Sequence, residues 1–269
     1  SRTGALPEMT RPTDTIRQRA IEARDGTRLA TYESGKADGP AMVLCNGLGG
    51  NFGTWRPLVD HFSDAWRIVS WDYRGLFASA APADPDAYGL DRHCDDLEDV
   101  LAAMGIDSAV FIGWSMGVQL VFECYRRRPE MFRAIIQING THGRPFETAF
   151  QADWMRTIAP PVLDLMEHSS PLFATLGPLV AATRIPLAVA KVVGLVSPTL
   201  DESVFLALAR EYVHLDFQAY ARIFRELGRH DSRDVLPTIR VPTLLITGQK
   251  DLFTPEALSR RMAAEIPSP

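Results

Sequence analysis

The sequence predicts an α/β fold: a mostly parallel, doubly wound sheet with a helical cap inserted before its last strand. Three observations predict it. Short apolar runs at Ala41–Cys45, Trp66–Trp71, Ala109–Gly113, Ala134–Asn139 and Thr243–Thr247 have the length of buried strands. Segments with apolar residues at helical spacing separate them, as parallel strands with crossover helices require. Between His142 and Leu236 the strand series stops, and proline-broken helical patterns run for about a hundred residues. The expected division is therefore a core of residues 13–141 and 237–269, with a cap at 142–236 over the sheet's carboxyl edge. Open α/β sheets bind ligands at that edge.

Each element has its own signal. The runs 16–23 and 27–34 alternate around Asp25-Gly26, which reads as a β-hairpin. The strand at 41–45 ends in the glycine-rich turn Asn46-Gly47-Leu48-Gly49-Gly50. Trp55, Leu58, Val59 and Phe62 recur at helical spacing. In the helix over 91–104, Leu90, Cys94, Leu97, Leu101 and Met104 share one face, while His93, Asp95, Asp96, Glu98 and Asp99 read as a solvated face. A helix over 116–128 stops before Pro129, and a last helix spans Pro255–Ile266. Phe173, Leu176, Leu179, Val180, Ile185, Leu187 and Val189 read as cap core, some of them lining a pocket.

Composition narrows the function class. The chain has 269 residues, 46% hydrophobic and 23% charged, which is globular rather than disordered. A net charge of −5 argues against nucleic acid as a partner. Three cysteines without a C-x-x-C pair fit reduced thiols in a cytoplasmic protein. The apolar stretch 158–200 is interrupted by prolines, Arg184 and Lys191, so it reads as helical cap rather than membrane span, with membrane-surface contact a lesser alternative. The sequence implies no metal and no organic cofactor, and leaves the oligomeric state open.

Three segments carry chemistry. Gly113-Trp114-Ser115-Met116-Gly117 fits G-x-S-x-G at a strand-to-helix junction, where a sharp turn lifts a serine above the sheet. The plainer reading is a serine capping an ordinary helix. Acyl transfer also needs two backbone N–H donors for an oxyanion, and Met116 and Leu48 are placed to supply them. Asp251, on the loop past the strand at 243–247, is placed to orient an imidazole; alternatively it only forms a turn. Asn46, Trp114, Phe77 and His142 are expected at the substrate pocket, and Cys45, by parity, in the core.

With these motifs in hand, the chain resembles the α/β-hydrolase fold superfamily, in its group of small capped esterases, lactonases and peroxidase-like proteins. The matching parts are NGLGG at 46–50, DYRG at 72–75, GWSMG at 113–117 and TGQKDLFTP at 247–255. The resemblance implies Ser115 as nucleophile, Asp251 as triad acid, and Leu48 and Met116 as oxyanion hole. Three departures stand out. The oxyanion loop begins Asn46-Gly47 where the family usually has His-Gly; Asn can still brace it by hydrogen bonds. Phe77 and Ala78 make the loop after Asp72 greasier and are expected to reshape the pocket mouth. The family's histidine, on a loop after one more strand, has no counterpart up to Pro269. The expectation is that the natural chain continues, and that the 269-residue form is a poor esterase. Of the six histidines, His142 lies nearest the elbow strand's neighbour and is the substitute candidate.

The function expected is hydrolysis of a carboxylic ester, lactone or thioester with a hydrophobic acyl or aryl group. The rivals are a carbon–carbon hydrolase, lyase or cofactor-free peroxidase on the same site, and a non-catalytic binder.

Overall fold

The computed structural model describes residues 16–148, 154–168, 215–249, 251 and 253–267. Strands β1 (Arg17–Glu22) and β2 (Arg28–Gly35) form the expected hairpin, with Ile21 opposite Leu29. Gly26 takes φ +82° at its tip, and Asp25 Oδ1 accepts a hydrogen bond from the Thr27 N–H. β3 (Ala41–Cys45), β4 (Arg67–Trp71), β5 (Ala109–Trp114), β6 (Phe132–Ile138) and β7 (Thr243–Ile246) follow. The seven strands lie in the order β1-β2-β4-β3-β5-β6-β7. The five from β4 to β7 are parallel; β2 joins β4 antiparallel and carries the hairpin at that end.

The sheet has two apolar faces because its strands alternate. Val43, Cys45, Val69 and Phe111 point to the side covered by α2 (Leu90–Met104), α3 (Met116–Arg127) and α7 (Glu256–Glu265). Met42, Leu44, Ile68 and Ile112 point to the other side, beneath Phe52, Trp55 and the Val59 of α1 (Arg56–Phe62). All three cysteines are free and buried, and burial raises the Cys45 thiol far above its ordinary range. At the far end of that face Leu244 and Ile246 of β7, two residues apart, are 53% and 45% exposed.

α2 corrects one expectation. His93 and Asp96 are fully buried rather than solvated. His93 stands three residues from Leu90 and four from Leu97, so it shares their inward face. Its ring meets the edge of Tyr73 at 5.1 Å, and burial holds it neutral with a pKa of about 3. Asp96 is in the core because Arg74 is there too: Nε and Nη2 bind both of its oxygens at 2.8 and 2.6 Å. Burial nevertheless pushes the Asp96 carboxyl up to about 6. The cations ending α3 are all paired, Arg126 with Asp234, Arg127 with Asp95 and Arg128 with Glu130.

Between β6 and β7 the described residues include the helices α4 (Pro145–Thr148), α5 (Trp154–His168) and α6 (Phe217–Arg229). α5 runs through Pro160 and Pro161, which remove two N–H donors from it without ending it. Glu167 of α5 binds Arg222 and Arg225 of α6 at 2.9 and 2.7 Å. The expected cap-core residues from Phe173 to Val189, and His214, lie outside the described residues.

Candidate active site

Ser115 stands between β5 and α3 at φ +54°, ψ −112°, a strained conformation for a side-chain-bearing residue. Its N–H donates to the Ile138 carbonyl, which ties the turn to β6, and its side chain is exposed. The flanking glycines are sterically required. A Cβ on Gly117 would sit 2.1 Å from the Cys45 carbonyl oxygen, and one on Gly113 2.7 Å from the Gly117 oxygen. Only glycine lets α3 start this close to the ends of β3 and β5.

The turn after β3 is locked from several sides. The Asn46 amide donates to the Trp71 carbonyl at 2.8 Å, and its oxygen accepts from the Trp55 indole N–H at 2.7 Å. The Tyr73 hydroxyl donates to the Asn46 carbonyl at 2.7 Å. The Trp114 ring lies against Gly47 and Gly50, where added Cβ atoms would come within 2.9 and 2.7 Å of it. This brings Leu48 beside Ser115. The Leu48 N–H has no acceptor among the described residues. Met116, as first residue of α3, carries one of the amides a helix leaves without an internal acceptor.

Ser115, Leu48 and Met116 open onto one cavity of 230 Å³, together with Gln119, Thr141 and Phe253. Its outer wall is aromatic. Phe146 of α4 meets Phe224 of α6 edge-on at 5.1 Å, and Tyr220 flanks Phe224 at 6.3 Å. Gly228 makes room for this wall, since a Cβ there would fall 2.0 Å from the Phe146 ring. The cavity offers an apolar group a place beside an exposed hydroxyl and two unsatisfied amides.

Residues 40–167 match the family model described as alpha/beta hydrolase fold. The structure overlays an esterase from Exiguobacterium antarcticum with a TM-score of 0.73, at 19% identity, covering 92% of this chain and 87% of that one. It overlays the enol-lactonase from Burkholderia xenovorans with a TM-score of 0.66, at 24% identity, covering 93% and 88%. This is an α/β-hydrolase-fold protein. Among curated sequences it is similar to a protein of Rhizobium rhizogenes provisionally named carbamate hydrolase RutD, 24% identical over 85% of this chain and 81% of that protein.

Not every residue expected at the pocket of this α/β-hydrolase fold is there. Asn46 is 1% exposed and braces the turn instead of reaching the cavity, because its amide nitrogen and oxygen are engaged by Trp71 and Trp55. Trp114 lies beneath the glycine turn, edge-on to Trp55 at 6.4 Å, and does not line the cavity. Phe77, at φ +51°, lines a separate cavity with Tyr32 and Phe52. The loop there is drawn in by Asp72, whose Oδ2 accepts from the Ala78 N–H and the Tyr32 hydroxyl.

His142 also faces away. After β6 the chain turns through Asn139 at φ +43°, which sends Gly140 and Thr141 to the cavity and His142 to the opposite side. There its Nδ1 lies 3.3 Å from Asp231 Oδ1, and burial pulls the imidazole below its ordinary value despite that carboxylate. No histidine among the described residues lines the Ser115 cavity.

Asp251 shapes the turn beside the cavity. Its Oδ1 accepts from the Phe253 and Thr254 N–H groups at 2.8 and 2.9 Å, and its Oδ2 from the Thr254 hydroxyl at 3.0 Å. Phe253 and Thr254 thereby reach the cavity wall. A carboxylate offers about four acceptor sites, so this turn leaves capacity on Oδ2.

Sequence reasoning missed Gln119, Phe146, Tyr220, Phe224 and Asn139. Gln119 was legible, one helical turn after Ser115 and so on the same face of α3. Asn139, whose Oδ1 accepts from the Gly248 N–H at 2.9 Å, ties the turn after β6 to the turn after β7. The aromatic wall had no signal distinguishing it from ordinary helix core.

Proposed function

We propose that this protein is a serine hydrolase that cleaves a carboxylic ester, lactone or thioester with a hydrophobic acyl or aryl group through an acyl-enzyme. The observation that carries this reading is Ser115, exposed at φ +54° on the glycine-flanked junction of β5 and α3, in one apolar cavity with Leu48 and Met116. The esterase, the enol-lactonase and the provisional carbamate hydrolase it resembles are all named for acyl or carbamoyl hydrolysis, which supports the class.

In the first step Ser115 Oγ bonds to the acyl carbon and gives its proton to a general base. The carbonyl oxygen becomes an oxyanion held by the Leu48 and Met116 N–H groups, each worth about 3–4 kcal/mol in the transition state. The bond to the leaving group breaks, and the leaving group takes the proton. Water then attacks the Ser115 ester by the reverse proton route and releases the acid. The base in this reading is a histidine outside the described residues, oriented by Asp251. Helices α4 to α6 act as the cap that closes the apolar side.

The test is hydrolysis of p-nitrophenyl butyrate by the 269-residue chain, alone and with added imidazole as a soluble base, beside Ser115→Ala. The reading expects a Ser115-dependent rate that imidazole raises. Equal rates for the chain and Ser115→Ala, with and without imidazole, would overturn it.

A further inference from the structure

One side-chain chain runs from the cavity into the protein and is unused by the mechanism above. Ser115, Gln119 and Glu123 stand four residues apart on one face of α3. Gln119 is 2% exposed and lines the Ser115 cavity. Its Nε2 lies 3.3 Å from the Leu227 carbonyl and 3.2 Å from His230 Nδ1. On the far side of that ring, His230 Nε2 lies 2.9 Å from Glu123 Oε2.

These contacts assign the donors and acceptors. Glu123 is held as a carboxylate, below its ordinary value, first by the hydrogen bond from His230 and then by Arg126 and Arg127, against its burial. A carboxylate only accepts, so His230 Nε2 carries the hydrogen. Gln119 Nε2, turned to the Leu227 carbonyl, has no lone pair to offer, so the Nδ1 facing it is an acceptor and takes one Gln119 N–H. The other Gln119 N–H goes to the Leu227 carbonyl. Both donors of the amide are spent, and its remaining capacity is the Oε1 acceptor, which has no hydrogen-bond partner among the described residues.

We propose that Gln119, held by the Glu123–His230 pair, is a specificity-determining residue that presents a hydrogen-bond acceptor to the cavity, so that the preferred substrate carries an N–H or O–H donor close to its scissile carbonyl. The inference rests on the acyl-transfer reading, which places that carbonyl at Ser115. Gln119 stands one helical turn away, about 5.4 Å along the axis, which sets the donor within a few bonds of the carbonyl carbon. The aromatic wall of Phe146, Tyr220 and Phe224 then takes the apolar group beyond the donor. The substrate class is an amido- or hydroxy-substituted acyl ester with an aryl or alkyl end, rather than a plain fatty ester.

The test uses two probes that differ in one group. Methyl hippurate has an N–H where methyl 4-oxo-4-phenylbutanoate has a CH2, and both keep the phenyl ring, the carbonyl and the ester. Their affinities are measured by calorimetry on the Ser115→Ala chain, which removes turnover. The hippurate is expected to bind about three- to tenfold more tightly, the range of one neutral hydrogen bond. Gln119→Met should level the two, and His230→Phe, which frees the amide to turn, should shrink the difference while Gln119 stays in place. Equal binding of both probes by the Ser115→Ala chain, or a preference that survives Gln119→Met, overturns the proposal. Fluorophosphonate labelling of the unsubstituted chain, with imidazole present as the base, separates the two readings. A preference without labelling keeps the acceptor and removes the acyl transfer. Labelling without a preference removes Gln119 as a selector and leaves the hydrolase.

Discussion

The two turns that flank Ser115 are held in different ways. The turn after β3 is gripped from outside itself: Trp71, Trp55 and Tyr73 bind Asn46, and the Trp114 ring fills the space over Gly47 and Gly50. The turn after β7 holds itself through Asp251, on the N–H groups of Phe253 and Thr254, and is tied to the turn after β6 by Asn139 through Gly248. The first sits in mid-sheet over a sealed core; the second follows β7, at the end of the described sheet, where Leu244 and Ile246 are exposed. The half that holds Ser115 and Leu48 is thus preorganised by long-range packing, whereas the half that holds Asp251 draws more on local hydrogen bonds.

The largest expected effect falls on Asp251. Asp251→Asn keeps an Oδ1 to accept the two N–H bonds, so the turn stays and the melting temperature moves by a few degrees at most. In protein that carries the triad histidine it presents the wrong partner to that imidazole, and the Ser115-dependent rate should fall on the order of 10³- to 10⁴-fold. A rate within tenfold of the parent would leave Asp251 as a turn former only.

The steric contrast comes next. Gly117→Ala drives a Cβ into the Cys45 carbonyl, a backbone atom with nowhere to go, and should cost about 3 kcal/mol. Gly248→Ala meets nothing closer than the Asp251 Cβ at 3.8 Å and should be nearly neutral. Denaturant melts of the pair check this, and similar losses at both sites would erase the distinction between the two turns.

His93 measures how well the β3 side is sealed. Unfolded, its ring takes a proton below about pH 6.5; folded, it refuses one until about pH 3. Its contribution to stability is therefore lost as pH falls through that window, by about 2 kcal/mol between pH 7 and pH 5. Asp96 acts in the opposite sense, gaining a proton in the folded state near pH 6, so the comparison must be with His93→Leu. The variant should lose less stability than the parent between pH 7 and 5. Parallel urea midpoints would contradict the sealed-core account.

His142→Ala should do least. Its ring pairs with Asp231 outside the Ser115 cavity, so the rate should stay within about twofold and stability within about 1 kcal/mol. A large rate loss would make His142 the working base after all.

The strands, the sharp turn at Ser115 and the glycine turn after β3 were legible because each rests on a local rule: alternating apolar residues, glycines at a steric pinch, or a strand ending in a turn. Asp251 was legible as a position, but its carboxylate's partners were not, since a turn-forming and a catalytic aspartate look alike in sequence. Asn46, Trp114, Phe77 and His142 were assigned by nearness along the chain. Their side chains are directed by long-range partners: Trp71 and Trp55 for Asn46, the glycine turn for Trp114, Asp72 for the Phe77 loop, Asp231 for His142. His93 failed for another reason, since a run of acidic neighbours masked a spacing that placed it inward. The cavity's aromatic wall comes from α4 and α6, far apart in sequence, and only their packing makes it.

The most direct measurement is fluorophosphonate labelling of the 269-residue chain, with imidazole present, followed by mass-spectrometric mapping of the modified residue. The account predicts one adduct, on Ser115, absent from Ser115→Ala. An adduct on another residue, or none while the chain remains folded by circular dichroism, would contradict the assignment of Ser115 as the nucleophile.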